Sequence, residues 1–464
     1  MSDAAEHEVD VVVLGGGPSG EVIAGRLGDR DLEVAIVEDR LVGGECSYWA
    51  CMPSKALLRP AQALDEVRRV PGAREAVTGT LDAGAALERR DEVIHRLDDS
   101  SQQPWLEERG VGLVRGRGHL AGERLVHVGD IVLRARKAVV IAVGTAPMIP
   151  PVAGLADAAP WTNREATTAK AVPGSLIVMG GGAVGVELAQ AYATLGADVT
   201  LLEREERILV RDEAFAADLV QEGLEAAGVR ILLDVEATAV ARGADGRVTV
   251  QTEGAGTLEA DEILVASGRR QVTDTLGLES IGLDVGGGDG PPKPIEVGED
   301  LRVVGHDWLY VVGDANGRDL LTHMGKYQAR AAADLICGRD ARIRTATPPP
   351  RVTFTQPQVA AVGHSLESAR KAGLDVRAVD VPTQGTAGAS FYGKGAGGTS
   401  RIVVDEARRV IVGATFVGPD VAEWLHAATI AVVAEVPLDV LWHAVAAFPT
   451  RSEVWLTLLQ KYGL

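Results

Sequence analysis

Short apolar runs alternate with segments of mixed polarity along this chain, and the alternation predicts strands that alternate with helices. A strand, a glycine-rich turn, a helix and a second strand occur in this order twice, over residues 9–38 and 176–203. Residues 56–110 carry their apolar positions at helical spacing. The pattern predicts an α/β fold with two Rossmann-like nucleotide-binding domains.

The remaining apolar runs are mostly typical of strands. They predict strands at 111–115, 124–128, 131–143, 263–266 and 309–312. After three consecutive prolines at 348–350, which are typical of a linker, no glycine-rich nucleotide turn follows. There the pattern predicts strands at 352–354, 359–362, 376–381, 401–404 and 410–417, and helices at 421–433 and 438–447. This last segment is typical of an α+β domain.

The first glycine-rich turn has the residue types that the pyrophosphate of a dinucleotide requires. Gly15, Gly17 and Gly20 follow the first strand and let the backbone approach the phosphates at the N-terminus of the next helix. Glu38 ends the second strand, where a carboxylate can accept a hydrogen bond from a ribose hydroxyl. The strand, the glycines, the helix and the acid together predict a bound dinucleotide.

The second turn repeats the arrangement with Gly180, Gly182 and Gly185, and its second strand ends at Glu203. Two dinucleotides in one chain indicate electron transfer between cofactors, as when a nicotinamide reduces a flavin.

The residues that follow this second strand bear on the choice of nicotinamide nucleotide. Glu203 favours a free ribose diol and therefore NADH. Arg204 and Arg207 are close enough in sequence to accept a 2′-phosphate, so NADPH remains an alternative.

Cys46 and Cys51 are two of only three cysteines and stand directly after the first nucleotide unit. A thiol pair beside a redox cofactor can cycle between dithiol and disulfide. A disulfide needs Cα atoms about 4.4–6.8 Å apart, whereas a regular helix places residues i and i+5 roughly 8.6 Å apart. A bridge therefore requires a distorted turn, which Pro53 favours because it clashes with the carbonyl of residue 49 in a continuous helix. No second Cys or His pair has metal-ligand spacing, so no metal site is predicted.

The composition and charge of the chain disfavour some kinds of binding partner. The chain has 464 residues and a net charge of −19, which disfavours nucleic acid and anionic membranes as partners. No apolar run reaches the roughly 18 residues that span a bilayer, and the acidic start lacks a signal-peptide core. We predict a cytoplasmic protein with a small-molecule substrate, and a disulfide in that compartment is usually catalytic.

Taken together, these residues resemble the flavin-dependent pyridine nucleotide–disulfide oxidoreductases, which include dihydrolipoamide dehydrogenase, glutathione reductase and mercuric reductase. The resemblance covers nearly the whole chain and rests on the two glycine-rich turns and on further motifs. These are Cys46-x4-Cys51-x-Pro53-Ser54-Lys55, Gly144-Thr145, Glu187, Gly268-Arg269, Gly313-Asp314 and Phe354-Thr355-Gln356-Pro357.

The resemblance implies a domain order and an assembly. It implies an FAD-binding domain at 1–153, an NAD(P)-binding domain at 154–279, a second FAD-binding or central part at 280–347, and an α+β dimerisation domain at 348–464. A homodimer is expected.

The resemblance also implies roles for individual residues. Cys51 would face the flavin, and Cys46 would attack the substrate. Lys55 would stand near the flavin N5 atom and pair with Glu187, where a cation stabilises the reduced, anionic flavin. Further cofactor contacts are implied at Gly44, Gly144, Thr145, Gly268 and Asp314.

The chain departs from the family at its C-terminal His-Pro-Thr-x-x-Glu signature, in which the His is a general acid from the partner subunit. Phe448 replaces this His, although Glu453 is kept. General acid–base catalysis contributes about 10²–10⁴-fold in rate, so ordinary disulfide reduction should be slow. His443, five residues earlier, is the alternative proton donor, but it is expected to be a solvated or packed helix residue. Tyr48 and Trp49 stand between the cysteines and either make the pocket more apolar or pack against a neighbouring helix.

Three functions follow from this interpretation. The first is electron transfer from NAD(P)H through FAD and the Cys46–Cys51 disulfide to an activated disulfide, a quinone or a metal ion. A Phe at the acid position also occurs in 2-ketopropyl-coenzyme M oxidoreductase/carboxylase, so reductive C–S cleavage in an aprotic site is the second. The third is a redox sensor with little turnover. The sequence leaves the acceptor open.

Overall fold

The structure, a computed structural model, describes residues 5–286, 291–344 and 347–464. Residues 1–4 of the predicted segment 1–153, and residues 287–290 and 345–346 of the predicted segment 280–347, lie outside the described residues.

The helices lie between strands through most of the described chain. They are α1 Pro18–Gly28, α2 Gly44–Tyr48, α3 Cys51–Arg69, α4 Ala83–Val93, α5 Gln103–Glu107, α6 Asn163–Thr168, α7 Ala183–Thr194, α8 Ala214–Ala226, α9 Thr322–Ile336, α10 Leu366–Lys371, α11 Leu425–Val433, α12 Leu438–Leu441 and α13 Val454–Tyr462. Among the described residues, no helix is both long enough and apolar enough to cross a membrane.

The strands form five sheets in the described residues. They are β1 Ala5–Leu14, β2 Val34–Glu38, β3 Val111–Arg115, β4 Gly118–Gly122, β5 Leu125–Val128, β6 Ile131–Ile141, β7 Thr145–Pro147, β8 Ser175–Met179, β9 Asp198–Leu202, β10 Arg230–Leu232, β11 Glu236–Arg242, β12 Val248–Glu253, β13 Gly256–Ala260, β14 Glu262–Val265, β15 Arg269–Gln271, β16 Arg302–Val303, β17 His306–Val311, β18 Arg351–Thr353, β19 Gln358–Gly363, β20 Val376–Pro382, β21 Thr399–Asp405 and β22 Val410–Gly418.

The chain divides into two compact units. The first contains the described residues of 1–53, 90–148 and 269–344, and the second contains 54–89, 149–268 and the described residues that follow 346. The four-part division given in the sequence analysis stays a prediction.

The first unit is built on a mostly parallel sheet in the order β16-β17-β6-β1-β2-β3, with the β4–β5 hairpin joined to β6. β1 is parallel to both β2 and β6, so the ends of these strands, including Leu14 and Glu38, lie at one edge of the sheet. Val11 and Val13 enter the core on one face of β1, and Val12 enters the core on the other. Ligands of open α/β sheets bind at such a carboxyl edge.

The second unit contains three sheets of different kinds. The parallel sheet β10-β9-β8-β14 packs against α7 and α8, and β11, β12 and β13 form an antiparallel sheet. The five-stranded antiparallel sheet β18-β19-β22-β21-β20 packs against α11 and α13. The two parallel sheets with their helices and the last sheet confirm the predicted α/β class with two Rossmann-like domains and a C-terminal α+β domain.

Several predicted elements differ from the structure. Residues 56–110 are not one helical segment, because α3 ends at Arg69 and a turn with Gly72 at φ +95° precedes α4. The helix predicted at 438–447 ends at Leu441, so His443 is not on a helix. Strands β11–β13 and helices α8, α9 and α13 are not predicted by the pattern, and in β11 three of the seven residues are alanine, which is depleted in strands.

Candidate functional site

The first glycine-rich turn joins β1 to α1 in a conformation that requires glycine. Gly15 has φ +104°, and a Cβ there would lie 2.5 Å from the carbonyl oxygen of Ala142. A Cβ at Gly20 would lie 1.9 Å from the oxygen of Gly15. Gly17 precedes Pro18 at the helix N-terminus, and a Cβ there would meet nothing within 4 Å. The open space at Gly17 fits a pyrophosphate that approaches the amides at the start of α1.

The Glu38 carboxylate is fixed by two backbone amides at the end of β2. Its Oε2 atom accepts from the Gly16 amide at 2.7 Å, and its Oε1 atom accepts from the Arg40 amide at 2.8 Å. Burial raises the pKa of Glu38, and the two backbone hydrogen bonds oppose this rise. The carboxylate thus lies beside the glycine turn, where it can accept a hydrogen bond from a ribose hydroxyl of a bound dinucleotide.

A second polar cluster lies at the same sheet, around Asp314. The Thr145 hydroxyl donates to Asp314 Oδ2 at 2.7 Å, and the Arg269 Nε atom donates to the Thr145 oxygen at 2.7 Å. Burial raises the pKa of Asp314, whereas Thr145 and Arg269 oppose the rise. Gly144, at φ +69°, turns the chain before Thr145, and Gly44, at φ +59°, would place a Cβ 2.7 Å from the Gly17 Cα atom. These residues, predicted to contact FAD, therefore occur together in the first unit.

The second glycine-rich turn repeats the first in detail. Gly180 has φ +109°, and a Cβ at Gly185 would lie 1.8 Å from the Gly180 oxygen. A Cβ at Gly182 would meet nothing within 4 Å, as at the first turn. Gly268, at φ +129°, follows β14 with two residues between them. The same backbone geometry thus occurs in each unit.

Glu203 has the same contacts as its counterpart in the first unit. Its Oε2 atom accepts from the Gly181 amide at 2.5 Å, and its Oε1 atom accepts from the Glu205 amide at 3.0 Å. Arg204 pairs with Glu205 at 3.1 Å. Arg207 donates to the carbonyl oxygens of Asp212 and Val210 at 3.2 and 3.0 Å. Both arginines are thus engaged by groups of their own loop.

Cys46 and Cys51 form a disulfide with a Cα–Cα distance of 4.7 Å. Cys46 lies in α2, which ends at Tyr48, and Cys51 begins α3. Trp49, the first of the two residues between the helices, has φ −134° and ψ 0°, so the helix is broken between the cysteines. Pro53 then falls in the first turn of α3, where its missing amide hydrogen costs no helical hydrogen bond. The predicted distorted turn is therefore present as a break between two helices.

The two aromatic residues between the cysteines differ in burial. Tyr48 is only 1% exposed, and its ring would lie 2.9 Å from a Cβ at Gly43. The ring centres of Tyr48 and Trp49 are 5.8 Å apart. Burial, with the nearby carboxylates of Asp99 and Glu21, raises the pKa of Tyr48 to about 12. Of the two predicted roles, packing in the protein core therefore explains the presence of Tyr48.

Thr322 is a residue of this site that the sequence does not indicate. Its hydroxyl donates to Cys46 Sγ at 3.3 Å and lies 3.5 Å from Cys51 Sγ. Thr322 begins α9, and a hydroxyl residue at that position indicates only the start of a helix, not a contact with sulfur. Only the packing of α9 in the first unit brings that hydroxyl to the disulfide.

Lys55 and Glu187 meet in the second unit as an ion pair at 2.6 Å. Glu187, on α7, is 4% exposed, and its other carboxylate oxygen accepts from the Phe354 amide at 2.8 Å. The Lys55 ammonium also lies 4.8 Å from the centre of the Phe354 ring. One carboxylate and one aromatic face thus hold the ammonium in place.

The C-terminal motif is partly exposed in the single chain. Phe448 is 77% exposed, whereas Arg451 is buried and its guanidinium stacks between the rings of Tyr392 and Trp424 at 4.4 and 4.1 Å. Glu453 Oε2 is buried, and it has no hydrogen-bond partner within the described residues. A carboxylate oxygen in this position is available to a further group.

Comparison with known proteins identifies the class to which this fold and site belong. The family described as pyridine nucleotide-disulphide oxidoreductase matches residues 9–333, and its dimerisation domain matches residues 349–459. The protein belongs to the pyridine nucleotide–disulphide oxidoreductase family. Members use FAD and NAD(P)H, and the family membership makes this protein an oxidoreductase that acts on sulfur groups.

Individual relatives are similar over nearly their whole length. The chain is 32% identical to a dihydrolipoyl dehydrogenase of Thermus scotoductus, over 96% of this chain and 95% of that protein. It is 26% identical to a mercuric reductase of Staphylococcus aureus, over 97% of this chain and 81% of that protein.

Solved structures share the fold at lower identity. The HOCl-induced flavoprotein disulfide reductase RclA from Escherichia coli, as its Cu(II) complex, has a TM-score of 0.85 at 24% identity, over 98% of this chain and 99% of that chain. LpdA from Mycobacterium tuberculosis has a TM-score of 0.85 at 24% identity, over 99% of this chain and 100% of that chain.

Proposed function

We propose that this protein transfers electrons from NADH through FAD to the Cys46–Cys51 disulfide and from the resulting dithiol to a small-molecule acceptor. The observation that carries the proposal is this disulfide, 4.7 Å between Cα atoms, in a chain with two nucleotide-binding turns of the same geometry. Two electrons and two protons convert the disulfide to two thiols, and the acceptor then takes both electrons and restores the bridge.

The first unit would hold FAD, and its residues divide the task. Gly17 leaves room for the pyrophosphate, Gly15 and Gly20 permit the tight turn beside it, and Glu38 offers a carboxylate to the ribose. Asp314, held by Thr145, offers another acceptor to the cofactor's hydroxyl groups. Bound FAD supplies the exchange between a two-electron hydride donor and sulfur.

The second turn would hold the nicotinamide nucleotide, and we propose NADH as the physiological donor. Glu203 stands where a ribose diol would bind, and its negative charge would repel a 2′-phosphate. Arg204 and Arg207 already have partners in their own loop. Initial rates with NADH and NADPH test this: kcat/KM should be at least about tenfold higher with NADH, and equal values would refute it.

We propose that Cys51 faces the flavin and that Cys46 is the thiol that meets the acceptor. The Thr322 hydroxyl, which donates to Cys46 in the oxidised state, would also stabilise the Cys46 thiolate after reduction. Lys55, held by Glu187, would place a positive charge at the reduced cofactor.

Phe448 determines what kind of acceptor we propose. A phenyl ring cannot donate a proton, so acceptors that need little proton donation are favoured: a quinone, a metal ion, or a disulfide whose leaving thiol has a low pKa. Steady-state assays with members of each class and with simple disulfides test this. Faster turnover of simple aliphatic disulfides than of all three classes would contradict it.

Two other functions stay open, and one of them is favoured by a particular residue. The aprotic Phe448 also suits reductive C–S cleavage, although Glu453 is retained. A redox sensor with little turnover is the third candidate. Stopped-flow mixing with NADH separates it from the enzymes: rapid reduction of the flavin supports an enzyme, and absence of reduction would refute both enzymatic functions.

We propose that the protein forms a homodimer through its C-terminal domain, in keeping with the dimerisation-domain match. That domain leaves large apolar side chains exposed in the single chain, among them Val445, Phe448 and Ile430. Light scattering coupled to size-exclusion chromatography should give twice the chain mass of 48.6 kDa. A monomeric mass at micromolar concentration would refute the proposal.

A further inference from the structure

Two histidines lie directly opposite each other on the β4–β5 hairpin. His119 pairs with His127 in the antiparallel register. Their neighbours Leu120, Val126 and Val128 are buried on the inner face of the hairpin. Because side chains alternate along a strand, both histidines point to the outer face. This surface lies in the first unit and contains none of the redox or nucleotide-binding residues.

The two rings are close enough to share one ion. Their centres are 5.7 Å apart, and their planes meet at 65°. An ion about 2.0–2.1 Å from one nitrogen of each ring would place the ring centres roughly 4.5–6.5 Å apart, depending on the N–metal–N angle. Within the described residues, neither imidazole has a hydrogen bond or an ion pair, so the ring nitrogens of both are available.

We propose that His119 and His127 form a binding site for a divalent transition-metal ion, with water as the remaining ligands. Imidazole is a ligand for Cu²⁺, Zn²⁺ and Ni²⁺, whereas Mg²⁺ and Ca²⁺ prefer oxygen. The site should bind Cu²⁺ more tightly than either Ni²⁺ or Zn²⁺.

The hairpin holds the two ligands before an ion arrives. β5 is paired on both sides, with β4 and with β6, so the backbone beneath His127 is fixed by two ladders. Buried Leu120 and Val126 anchor the other face of the hairpin. A site on paired strands loses little backbone freedom on binding, which favours chelation over attachment to a single exposed histidine.

The test is metal titration of the purified, oxidised, flavin-loaded protein, in which Cys46 and Cys51 are bridged and do not compete as thiolates. Calorimetric titration with Zn²⁺ and with Cu²⁺ should show one high-affinity ion per chain. His119→Gln and His127→Gln should each weaken that binding at least about tenfold. The electron paramagnetic resonance spectrum of the Cu²⁺ form should show two nitrogen ligands in the natural protein and one in either variant.

His7→Gln is the matched control. His7 is on β1 of the same sheet and pairs with Leu133, which itself pairs with buried Val126. Its side chain therefore lies on the opposite face of the sheet from His119 and His127. This variant should bind the ion as the natural protein does. The proposal is overturned if either hairpin variant binds as tightly as the natural protein, or if the spectrum shows no imidazole nitrogen. Circular dichroism without metal confirms that each variant is folded.

Discussion

At the scale of single residues, three side chains meet at the redox centre: Cys46, Cys51 and Thr322. The hydroxyl of Thr322 is within 3.5 Å of both sulfur atoms. Cys337, the one cysteine outside the disulfide, caps the end of α9 and is partly buried. A substitution at Cys337 can therefore serve as the control for a substitution at either cysteine of the disulfide.

Cys46→Ser should abolish turnover that passes through the dithiol. A serine hydroxyl is a poor nucleophile and cannot form the bridge, so reduction of a disulfide acceptor by NADH should fall at least about 10³-fold. Reduction of the flavin by NADH, followed by stopped-flow absorbance, should persist. Cys337→Ser is the control and should retain full activity, and an equal loss in both variants would argue against the proposed role.

Phe448→His should restore a proton donor at the position where the family has one. If the missing acid limits turnover, kcat for small disulfides should rise about tenfold or more. Phe448→Leu keeps the site aprotic and should leave that rate unchanged. Steady-state rates with a small disulfide provide the measurement. An unchanged rate in Phe448→His would mean that residue 448 does not reach the acceptor.

At the scale of elements, α7 holds the segment that precedes β19. Gln190 on α7 is buried, accepts from the Gln356 amide at 2.7 Å and donates to the Gln356 oxygen at 2.9 Å. One turn earlier on α7, Glu187 accepts from the Phe354 amide and pairs with Lys55. The helix therefore fixes both the segment and the ammonium that we assign to the flavin.

Gln190→Ala should loosen this segment. It removes two buried hydrogen bonds and leaves the amide and the carbonyl of Gln356 without their partner, which should lower the free energy of unfolding by about 1–3 kcal/mol. Chemical denaturation followed by tryptophan fluorescence measures this. Gln221→Ala on α8 removes only an exposed hydrogen bond from the side-chain amide to Glu225, so it is the control and should change stability little. Equal effects of the two variants would contradict the argument.

At the scale of the whole molecule, a partly buried carboxyl group makes the first unit sensitive to pH. Burial raises the pKa of Glu21, on α1, to about 7, with Lys326 opposing the rise and Glu38 adding to it. A folded-state pKa above the unfolded value of 4.5 means that protonated Glu21 stabilises the fold at low pH. That contribution is lost as pH rises from about 4.5 through about 7.

Glu21→Gln should therefore stabilise the nucleotide-free protein progressively with pH. The difference in unfolding free energy between variant and natural protein should grow by about 3 kcal/mol between pH 4.5 and pH 8, measured by chemical denaturation. Glu367→Gln should behave in the opposite sense and at lower pH, because Lys371 lowers the pKa of Glu367 below 4.5, so its difference should change below about pH 5.5 and stay nearly constant from there to pH 8. A pH-independent difference for Glu21→Gln would contradict the prediction.

Much of the fold follows from local patterns in the sequence. β3 begins and ends at the predicted residues, and both glycine-rich turns occur where the strands end. The turns are predictable because their backbone conformation requires glycine, and β3 is predictable because apolar side chains fill three of its five positions. Strand β11 escapes prediction because alanine, which is depleted in strands, fills three of its seven positions. The end of α12 is missed because no Gly or Pro follows Leu441 closely enough to mark it.

The sequence by itself determines the two nucleotide turns, the spacing of the cysteine pair and the loss of the acid at Phe448, because each depends on residue type at adjacent positions. Only the tertiary structure decides that Thr322 reaches the disulfide, that Glu187 and Phe354 together hold Lys55, and that two histidines face each other across a hairpin. Each of those contacts joins residues that are not adjacent along the chain. Strand register and helix packing, not local preference, bring such residues together.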